Sequence, residues 1–518
     1  FYEYTAYLNG EKITLRTDKN NRITATVFSV TGLLIVSKLL GFIKQMVTAS
    51  AFGTTLETDL INLSFGFVDD LQYLLTQTLI TALVTIYIHT REQGGEEAAC
   101  RFAFHTWKAF TLISSGIALL AALCAPLMAR LLAPGYDADT SARLSRCLRL
   151  VAPAILLFVW IAIFNALLHA NKRFLPGEII SIHQSLWMIV LVLLFKARIG
   201  VSIMLVAFGI YSLWNTGYTA LLSRRYWRVS RGDPFQNPSV RELLKMMLPL
   251  LLGYSLVYVN QLVDKSLVSG LATGSVTALN YAAVLSNLVG TFIITFSSVL
   301  FTYVTARIAS DDQTGAAELT DHAAVVLLSV FLPVCLLTIF YAEEVVSIVY
   351  ARGAFDAESV RICAQALRGY ALMFPPLVFR EVYSRFLYGH RDSKRPMVNS
   401  SIAVVCNIVL SIALCPRFGV FGVTVATSIS VALCGVLNLH SARRAHPELH
   451  SAALLRALPW LLAGCAACGV TAQYCAARLA GQSALIRFVL AALAGFAAYA
   501  AAASPLLRRL SRQLRQRT

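Results

Sequence analysis

Residues 151–170 read VAPAILLFVWIAIFNALLHA, and Lys172 and Arg173 follow almost at once. The stretch holds no Asp, Glu, Lys or Arg, and as a helix it would extend about 30 Å, the thickness of the hydrocarbon core of a bilayer. A basic pair directly after such a stretch is typical of a helix end at the membrane surface. These residues therefore predict a transmembrane helix.

Comparable apolar stretches recur along the whole chain, and the polar connections between them are too short to fold as soluble domains. Their approximate bounds are 24–45, 58–90, 103–131, 148–170, 178–197, 200–223, 243–268, 273–306, 322–345, 362–389, 397–415, 419–441, 454–477 and 485–507. The chain of 518 residues is 57% hydrophobic and only 14% charged, with a mean hydropathy of +0.66. We therefore predict an all-α polytopic membrane protein with about fourteen transmembrane helices.

The net charge of +17 could suggest a nucleic-acid-binding protein, but the basic residues are concentrated in alternate loops. Such loops contain Arg91, Arg101, Arg224, Arg225, Arg391, Lys394, Arg443 and Arg444. Because Lys and Arg mark cytoplasmic loops, both termini are predicted to be cytoplasmic in a bacterial inner membrane. Residues 1–23 then form a cytoplasmic N-terminal extension, and 1–19 lack the apolar core of a signal peptide.

An internal repeat divides the series of predicted spans into units. With a shift of about 219 residues, LAPGYDADT at 132–140 aligns with ARGAFDAES at 351–359, and each is followed by a span that ends in a basic turn. Six spans per unit make the two halves parallel, as in many transporters. We assign 24–232 to an N-lobe of helices 1–6, 233–445 to a C-lobe of helices 7–12, and 446–518 to helices 13–14 and a basic cytoplasmic tail. A duplicated scaffold without transport is the alternative.

Ionisable residues inside the spans are the candidate functional groups, because charges in hydrocarbon are costly and usually face a cavity. They are Lys38 and Lys44 in span 1, Asp59, Asp69 and Asp70 in span 2, Asp264 and Lys265 in span 7, and Arg380, Glu381 and Arg385 in span 10. The cations suit a phosphate-bearing substrate. The alternatives are snorkelling for Lys44 and Lys265 and a structural ion pair for Arg380 and Glu381. Pro153, Pro249, Pro333 and Pro375-Pro376 can kink their helices.

Cofactor chemistry and catalysis are not expected. The eleven cysteines are scattered through apolar stretches, and the pair Cys465 and Cys468 has no further ligand residues nearby in the sequence. The sequence has no nucleotide-binding motif, so direct use of ATP is not expected either. These features predict a transport protein without a metal, a cofactor or an enzymatic activity.

Three groups of motifs resemble the MurJ/MviN family of lipid II flippases, within the multidrug/oligosaccharidyl-lipid/polysaccharide exporter superfamily. They are SKLLGFIKQ at 37–45 with Thr58-Asp59, then LPLLLG at 248–253, NQLVD at 260–264 and GSVTALNYA at 274–282, and then RGAFDAE at 352–358, ALRGYA at 366–371 and YGHRDSKRP at 388–396. The resemblance covers about 29–439. It implies fourteen spans, two lobes, a central cationic cavity for the pyrophosphate and sugar of an undecaprenyl-linked precursor, and a lipid-tail groove at spans 13 and 14.

The resemblance also transfers individual residues. Ser37 matches the family's serine. Lys38 and Lys44 stand at the positions of its two span 1 arginines, and Asp59 stands at the position of its span 2 aspartate. Other family charges are replaced: Gln45, Tyr73 and Ala283-Val284 stand where the family has charged residues, and Asp69 and Asp70 are additional carboxylates. The expected central-cavity residues are Ser37, Lys38, Lys44, Asp59, Arg380 and Arg385, with Asp69, Asp70 and Glu381 as coupling candidates.

The prediction is a monomeric flippase that moves lipid II, or a related undecaprenyl-pyrophosphate-linked glycan for the cell wall, across the cytoplasmic membrane by alternating access. Its partners would be that glycan lipid and membrane lipids, with a coupling cation as an open question. A small-molecule or drug cation antiporter of the same superfamily, favoured by Asp69 and Asp70, is one alternative. A non-transporting, degenerate flippase scaffold is another, and a membrane glycosyltransferase is a more distant one.

Overall fold

The computed structural model describes residues 5–8, 11–14, 18–450, 452–479 and 481–506, with the backbone alone before Gly32 and at 252–254, 256, 257 and 452. The end of the predicted basic tail, 507–518, and parts of the predicted N-terminal extension lie outside the described residues. Within them, a short hairpin precedes a long series of helices. Its strands are β1 (Thr5–Leu8) and β2 (Glu11–Thr14), which pair antiparallel.

The helices confirm the predicted all-α fold, to which the hairpin is a small addition. They are α1 (Asp18–Phe52), α2 (Leu56–Leu123), α3 (Ala125–Leu132), α4 (Ala138–Val151), α5 (Ala154–Ala170), α6 (Leu175–Ile199), α7 (Ile203–Ser223), α8 (Pro238–Ser269), α9 (Ser275–Ala309), α10 (Gln313–Phe340), α11 (Ala342–Tyr350), α12 (Ala357–Ala371), α13 (Phe374–Gly389), α14 (Lys394–Ala445), α15 (Ala452–Arg478) and α16 (Ala484–Ala502).

Nine helical stretches among the described residues are long and apolar enough to cross a membrane, or up to ten when α12 and α13 are counted as one bent span. Three of them are far longer than one crossing: α2 has 68 residues, the stretch Leu175–Tyr226 that contains α6 and α7 has 52, and α14 has 52. A helix of the length of α2 extends about 100 Å, more than three times the hydrocarbon core. Each of the three contains a glycine in the left-handed region: Gly95 at φ 77°, Gly200 at φ 65° and Gly419 at φ 58°. Crossings therefore outnumber the helical stretches, while the count of fourteen stays a prediction.

Prolines interrupt helices at two of the expected positions. Pro153 separates α4 from α5, and Pro375 lies in the first turn of α13, after a bend of 40° from α12. Proline lacks the amide hydrogen that a continuous helix needs and crowds the preceding turn. Pro249 and Pro333 instead lie inside α8 and α10, so proline alone does not decide where these helices end.

The chain forms two compact units. The first contains the described part of Phe1–Val47 with Leu75–Ala118 and Pro153–Leu250; the second contains Thr48–Leu74, Leu119–Ala152 and the described part of Leu251–Thr518. These units do not coincide with the predicted lobes, because two segments assigned to the N-lobe belong to the second unit. The lobe boundaries at 232 and 445 therefore remain a prediction.

Each unit has its own apolar core. In the first unit, the indole ring of Trp227 stacks on Phe104, Trp107 and Phe164 with ring centroids 5.9–6.3 Å apart. In the second, α15 and α16 pack against α10 and α11, and the Tyr341 hydroxyl donates to the carbonyl of Ala472 at 2.7 Å. Buried tyrosines of this kind need a partner for their hydroxyl, which fixes how the neighbouring helix packs.

Candidate transport site

The start of α9 is held by an acidic residue that is 215 positions away in the sequence. Asp59, in the first turn of α2, accepts the backbone N–H of Gly274 at 2.7 Å and that of Thr277 at 2.8 Å. The first amides of a helix have no partner inside it and carry positive partial charge, so a carboxylate is a favourable cap. Asp59 is 2% exposed, and the Asn62 amide adds a bond to the Thr277 hydroxyl. This cluster ties α2 to α9.

Close backbone contacts surround the Asp59 cap. Gly274 has φ +88°, and a Cβ there would overlap the carbonyl of Thr54. A Cβ at Gly135, in the turn between α3 and α4, would overlap Gly270, which precedes α9. The Ser266 hydroxyl also donates to the carbonyl of Leu131 at 3.1 Å. The absence of side chains at these glycines lets the connections pack backbone against backbone.

The repeat-related connection makes the corresponding contact. Gly353 has φ +61°, and a Cβ there would overlap the carbonyl of Ser50 near the end of α1; a Cβ at Gly53 would overlap the carbonyl of Ala354. The Ala354 amide donates to the Ser50 carbonyl at 2.9 Å, and Thr54 and Ser359 share a hydroxyl–hydroxyl bond of 2.7 Å. The segments 132–140 and 351–359, which align in sequence, therefore each pack against the other repeat. All these contacts lie within the second unit.

One ion pair connects α2 to α8. The Lys265 ammonium lies 2.9 Å from an oxygen of Asp70, and the two side chains are 14% and 15% exposed. Gly66, one turn before Asp70, leaves the space that the end of the Lys265 side chain occupies. The structure thus gives Lys265 an internal partner, in place of the snorkelling alternative. Asp69 is half-buried beside it.

Polar side chains of α14 complete the surroundings of Asp264. The Ser411 hydroxyl donates to Asp264 at 2.8 Å, and the side-chain amide of Asn407 donates to the side-chain oxygen of Asn260 at 3.0 Å. The sequence analysis singled out Asp264 but missed Asn407 and Ser411. Their spacing of four within an apolar span, which places both on one helix face, was the available signal.

Arg380, Glu381 and Arg385 form a cluster on α13. The Arg380 guanidinium lies 2.8 Å from one oxygen of Glu381, and the Arg385 guanidinium lies 3.5 Å from the other. All three line a cavity of about 390 Å³ together with Asn260 and Asn407. One carboxylate between two guanidinium groups leaves a net positive charge, which suits an anionic ligand. Adjacent helix positions usually point apart, yet here the long Arg380 side chain reaches back to Glu381.

The remaining candidates lie on α1, in the first unit. Ser37 is buried, Lys38 is exposed, and Lys44 is half-buried. Glu178 of α6 interacts electrostatically with Lys38. The structure therefore brings together Arg380, Glu381 and Arg385, while Asp59 and Asp70 have separate partners in the second unit.

The sequence comparisons agree on one family. A family model described as lipid II flippase MurJ matches residues 48–493. A protein of Treponema pallidum named probable lipid II flippase MurJ is 24% identical over 414 residues, which are 77% of this chain and 77% of that protein. A protein of Synechocystis with the same name is 25% identical over 439 residues, 79% of each chain.

Solved structures share the fold. A lipid II flippase MurJ in an inward closed conformation superposes with a TM-score of 0.77 at 22% identity, covering 93% of this chain and 99% of that one. An inward-facing multidrug resistance MATE transporter of the MOP superfamily gives a TM-score of 0.66 at 14% identity, covering 82% and 99%. Both likenesses concern the fold, since identity is low.

Proposed function

Because the chain belongs to the MurJ family of lipid II flippases, and so moves lipid II across the membrane, we propose that the Asp59 contact with α9 closes one end of its transport path. The observation that carries this proposal is that both Asp59 oxygens accept amides of α9 while the side chain is buried. A headgroup cannot pass between elements whose backbones touch at Gly135, Gly274 and Gly353.

The closed end is the outer one in the proposed topology. The basic loops that follow α5 and α13 are assigned to the cytoplasm by the positive-inside rule, and the segments 48–58, 132–140 and 270–275 then lie on the opposite side. Both termini would be cytoplasmic. The state described by the structure would accept lipid II from the inner leaflet.

The headgroup contacts proposed for the second unit are Arg380 and Arg385. Their shared partner Glu381 holds the guanidinium groups in the absence of substrate, and a pyrophosphate can replace it with charge-assisted hydrogen bonds. Ser37, Lys38 and Lys44 are the proposed contacts on α1. A lysine contributes charge without the planar two-pronged contact of arginine, so Arg380 and Arg385 would orient the pyrophosphate.

The acidic residues are proposed to couple the cycle to ions or to the membrane potential. Opening the closed end must separate α2 from α8 and α9, which would break the pair of Asp70 with Lys265 as well as the Asp59 cap. Moving one charge through the field contributes about 2.3 kcal/mol per 100 mV. Asp69, Asp70 and Glu381 are the candidate coupling groups. The protein would act as a monomer and without an enzymatic step.

Hydrogen exchange of the full-length protein tests the closed-end proposal. In Asp59→Ala, the amides of Gly274 and Thr277 lose their acceptor, so their exchange should rise about tenfold or more. Asp137→Ala, at the exposed start of α4, is the matched control and should leave these amides unchanged. Lipid II export is then measured in cells depleted of their own flippase. Faster exchange at 274–277 with wild-type export would refute a gating role for Asp59.

A further inference from the structure

A second basic cavity lies away from Arg380 and Arg385, at the connection between α3 and α4. Its volume is about 800 Å³, and its lining includes Arg130 of α3 and Arg146 and Arg149 of α4. Among the residues that the structure describes, no carboxylate pairs with any of these three arginines. The neighbouring Arg143 does have a partner, Glu57, at 2.8 Å. The cavity is therefore lined by uncompensated positive charge.

Two residues that line the same cavity have hydroxyl groups without a hydrogen-bond partner in the described structure. They are Tyr136 Oη and Ser145 Oγ, both buried atoms, and Ser145 as a residue is only 3% exposed. A buried hydroxyl without a partner costs about 1–3 kcal/mol, so a ligand that accepts a hydrogen bond from either group would be stabilised. A hydroxyl can donate to an anionic oxygen, as can each arginine.

The aligned region of the second repeat lacks these groups. Ser145 aligns with Ala364, Arg146 with Gln365, and Tyr136 with Phe355, which is packed against Tyr281 and Tyr350. Arg149 aligns with Arg368, which forms an ion pair with Glu343 at 2.9 Å. The fold does not require a basic cavity at this place, because the second repeat is built without one.

The surroundings of the cavity favour a lipid over a soluble anion. On α3, Leu127 and Leu131 are 58% and 67% exposed, and Leu150 near the end of α4 is 68% exposed. In a membrane protein, leucines this exposed near a span end face acyl chains. A phosphate held by the arginines would leave its chains along this leucine surface.

We propose that α3, α4 and the turn between them bind the phosphate of an anionic phospholipid headgroup. Arg130, Arg146 and Arg149 would contact the phosphate oxygens, and Tyr136 and Ser145 would donate from the cavity wall. In the proposed topology this is the outer leaflet, beside the closed end. Gly135 of the same turn packs on Gly270, so the bound lipid would stabilise that contact. This site is separate from the proposed headgroup path.

The test uses the full-length protein in detergent and measures phosphatidylglycerol binding by native mass spectrometry, with phosphatidylcholine for comparison. Arg130→Gln combined with Arg146→Gln should weaken phosphatidylglycerol binding at least about tenfold. The matched control is Arg352→Gln with Arg361→Gln, which removes the same charge from exposed arginines at the aligned end of the second repeat. It should change binding by less than about twofold. Equal losses in both double variants would overturn the proposal.

A charge-neutral variant gives an independent answer. Tyr136→Phe keeps the charge and the ring, matches Phe355 of the second repeat, and should weaken phosphatidylglycerol binding about threefold or more. Unchanged phosphatidylglycerol binding in this variant would refute the cavity as the lipid-binding site. Excess inorganic phosphate should not displace the lipid; displacement would indicate a site for free anions. Binding of undecaprenyl pyrophosphate but not phosphatidylglycerol would assign the cavity to the cargo and refute the phospholipid.

Discussion

The Lys265 ammonium and the Asp70 carboxylate lie 2.9 Å apart, with about six-sevenths of each side chain buried. They belong to α8 and α2, so one ion pair joins segments 195 residues apart in the sequence. A pair this well buried is costly to break on one side only, because the remaining charge is left in a low-dielectric site.

Removing both partners should therefore cost less than the sum of the two single removals. We expect Asp70→Asn and Lys265→Met each to cost about 2–4 kcal/mol, and the double variant to cost at least about 1 kcal/mol less than their sum. Melting curves of the purified variants measure this. Glu97→Gln breaks the exposed pair with Arg101 and should stay within about 0.5 kcal/mol of wild type. Strict additivity of the two single changes would contradict a direct pair.

The close backbone contacts predict a loss of stability when a side chain is added at one of the contact glycines. Gly353→Ala places a methyl group on the Ser50 carbonyl in a left-handed conformation, which should cost about 1–3 kcal/mol and raise hydrogen exchange at Ala354. Gly209→Ala, in α7 with open space around it, should be neutral or slightly stabilising. A Gly353→Ala variant with wild-type melting and exchange would argue against this tight contact.

Glu381 competes with an anionic ligand for two guanidinium groups. Glu381→Gln should therefore tighten binding of farnesyl pyrophosphate, used as a soluble pyrophosphate probe, by about three- to tenfold. Arg380→Gln with Arg385→Gln should weaken it about tenfold. Glu358→Gln, which frees the exposed Arg361, serves as the control for net charge. Weaker binding in Glu381→Gln would show that the carboxylate positions the arginines for the ligand.

His446, directly after α14, gives the protein a pH dependence. Burial lowers its pKa, and electrostatic interaction with His390, whose ring centroid is 3.7 Å away, lowers this pKa further. Arg395 acts in the same direction, while Glu448 and Asp392 oppose it. The unfolded chain thus binds a proton at this site that the folded protein resists. The stability contribution is complete above about pH 6.5, the ordinary histidine pKa, and declines as the pH falls toward the lowered value.

Thermal melting between pH 5 and 8 checks this dependence. Wild type should lose stability at the acidic end, and His446→Gln should lose less over the same range. His440→Gln changes an exposed histidine of α14 and should reproduce the wild-type profile. If His446→Gln and wild type decline in parallel, the dependence originates elsewhere.

Hydropathy was sufficient for the helical fold, because a bilayer requires long apolar stretches whatever their later packing. The breaks at Pro153 and Pro375 followed from proline chemistry. The partners of the charged residues could not be predicted from hydropathy or from proline positions. Asp59 was a substrate candidate, but its observed partners are backbone amides of Gly274 and Thr277, and every residue except proline carries an amide. No residue pattern marks such a partner.

The division into two compact units also could not be predicted from the sequence. The predicted repeat aligns 132–140 with 351–359, but it could not show that both segments pack within one unit. Contacts across the repeats depend on the conformational state, whereas the repeat records only how the chain was duplicated. The basic cavity was missed because Arg130 and Arg146 lie at span ends, where basic residues are ordinary.

The glycine contacts at Gly53, Gly135, Gly274 and Gly353 involve peptide groups, which are chemically the same in every protein sequence. The residues proposed to contact the cargo can then be exchanged without altering these backbone contacts. Changes of cargo preference and changes of barrier tightness are expected to arise from mutations in different parts of the chain.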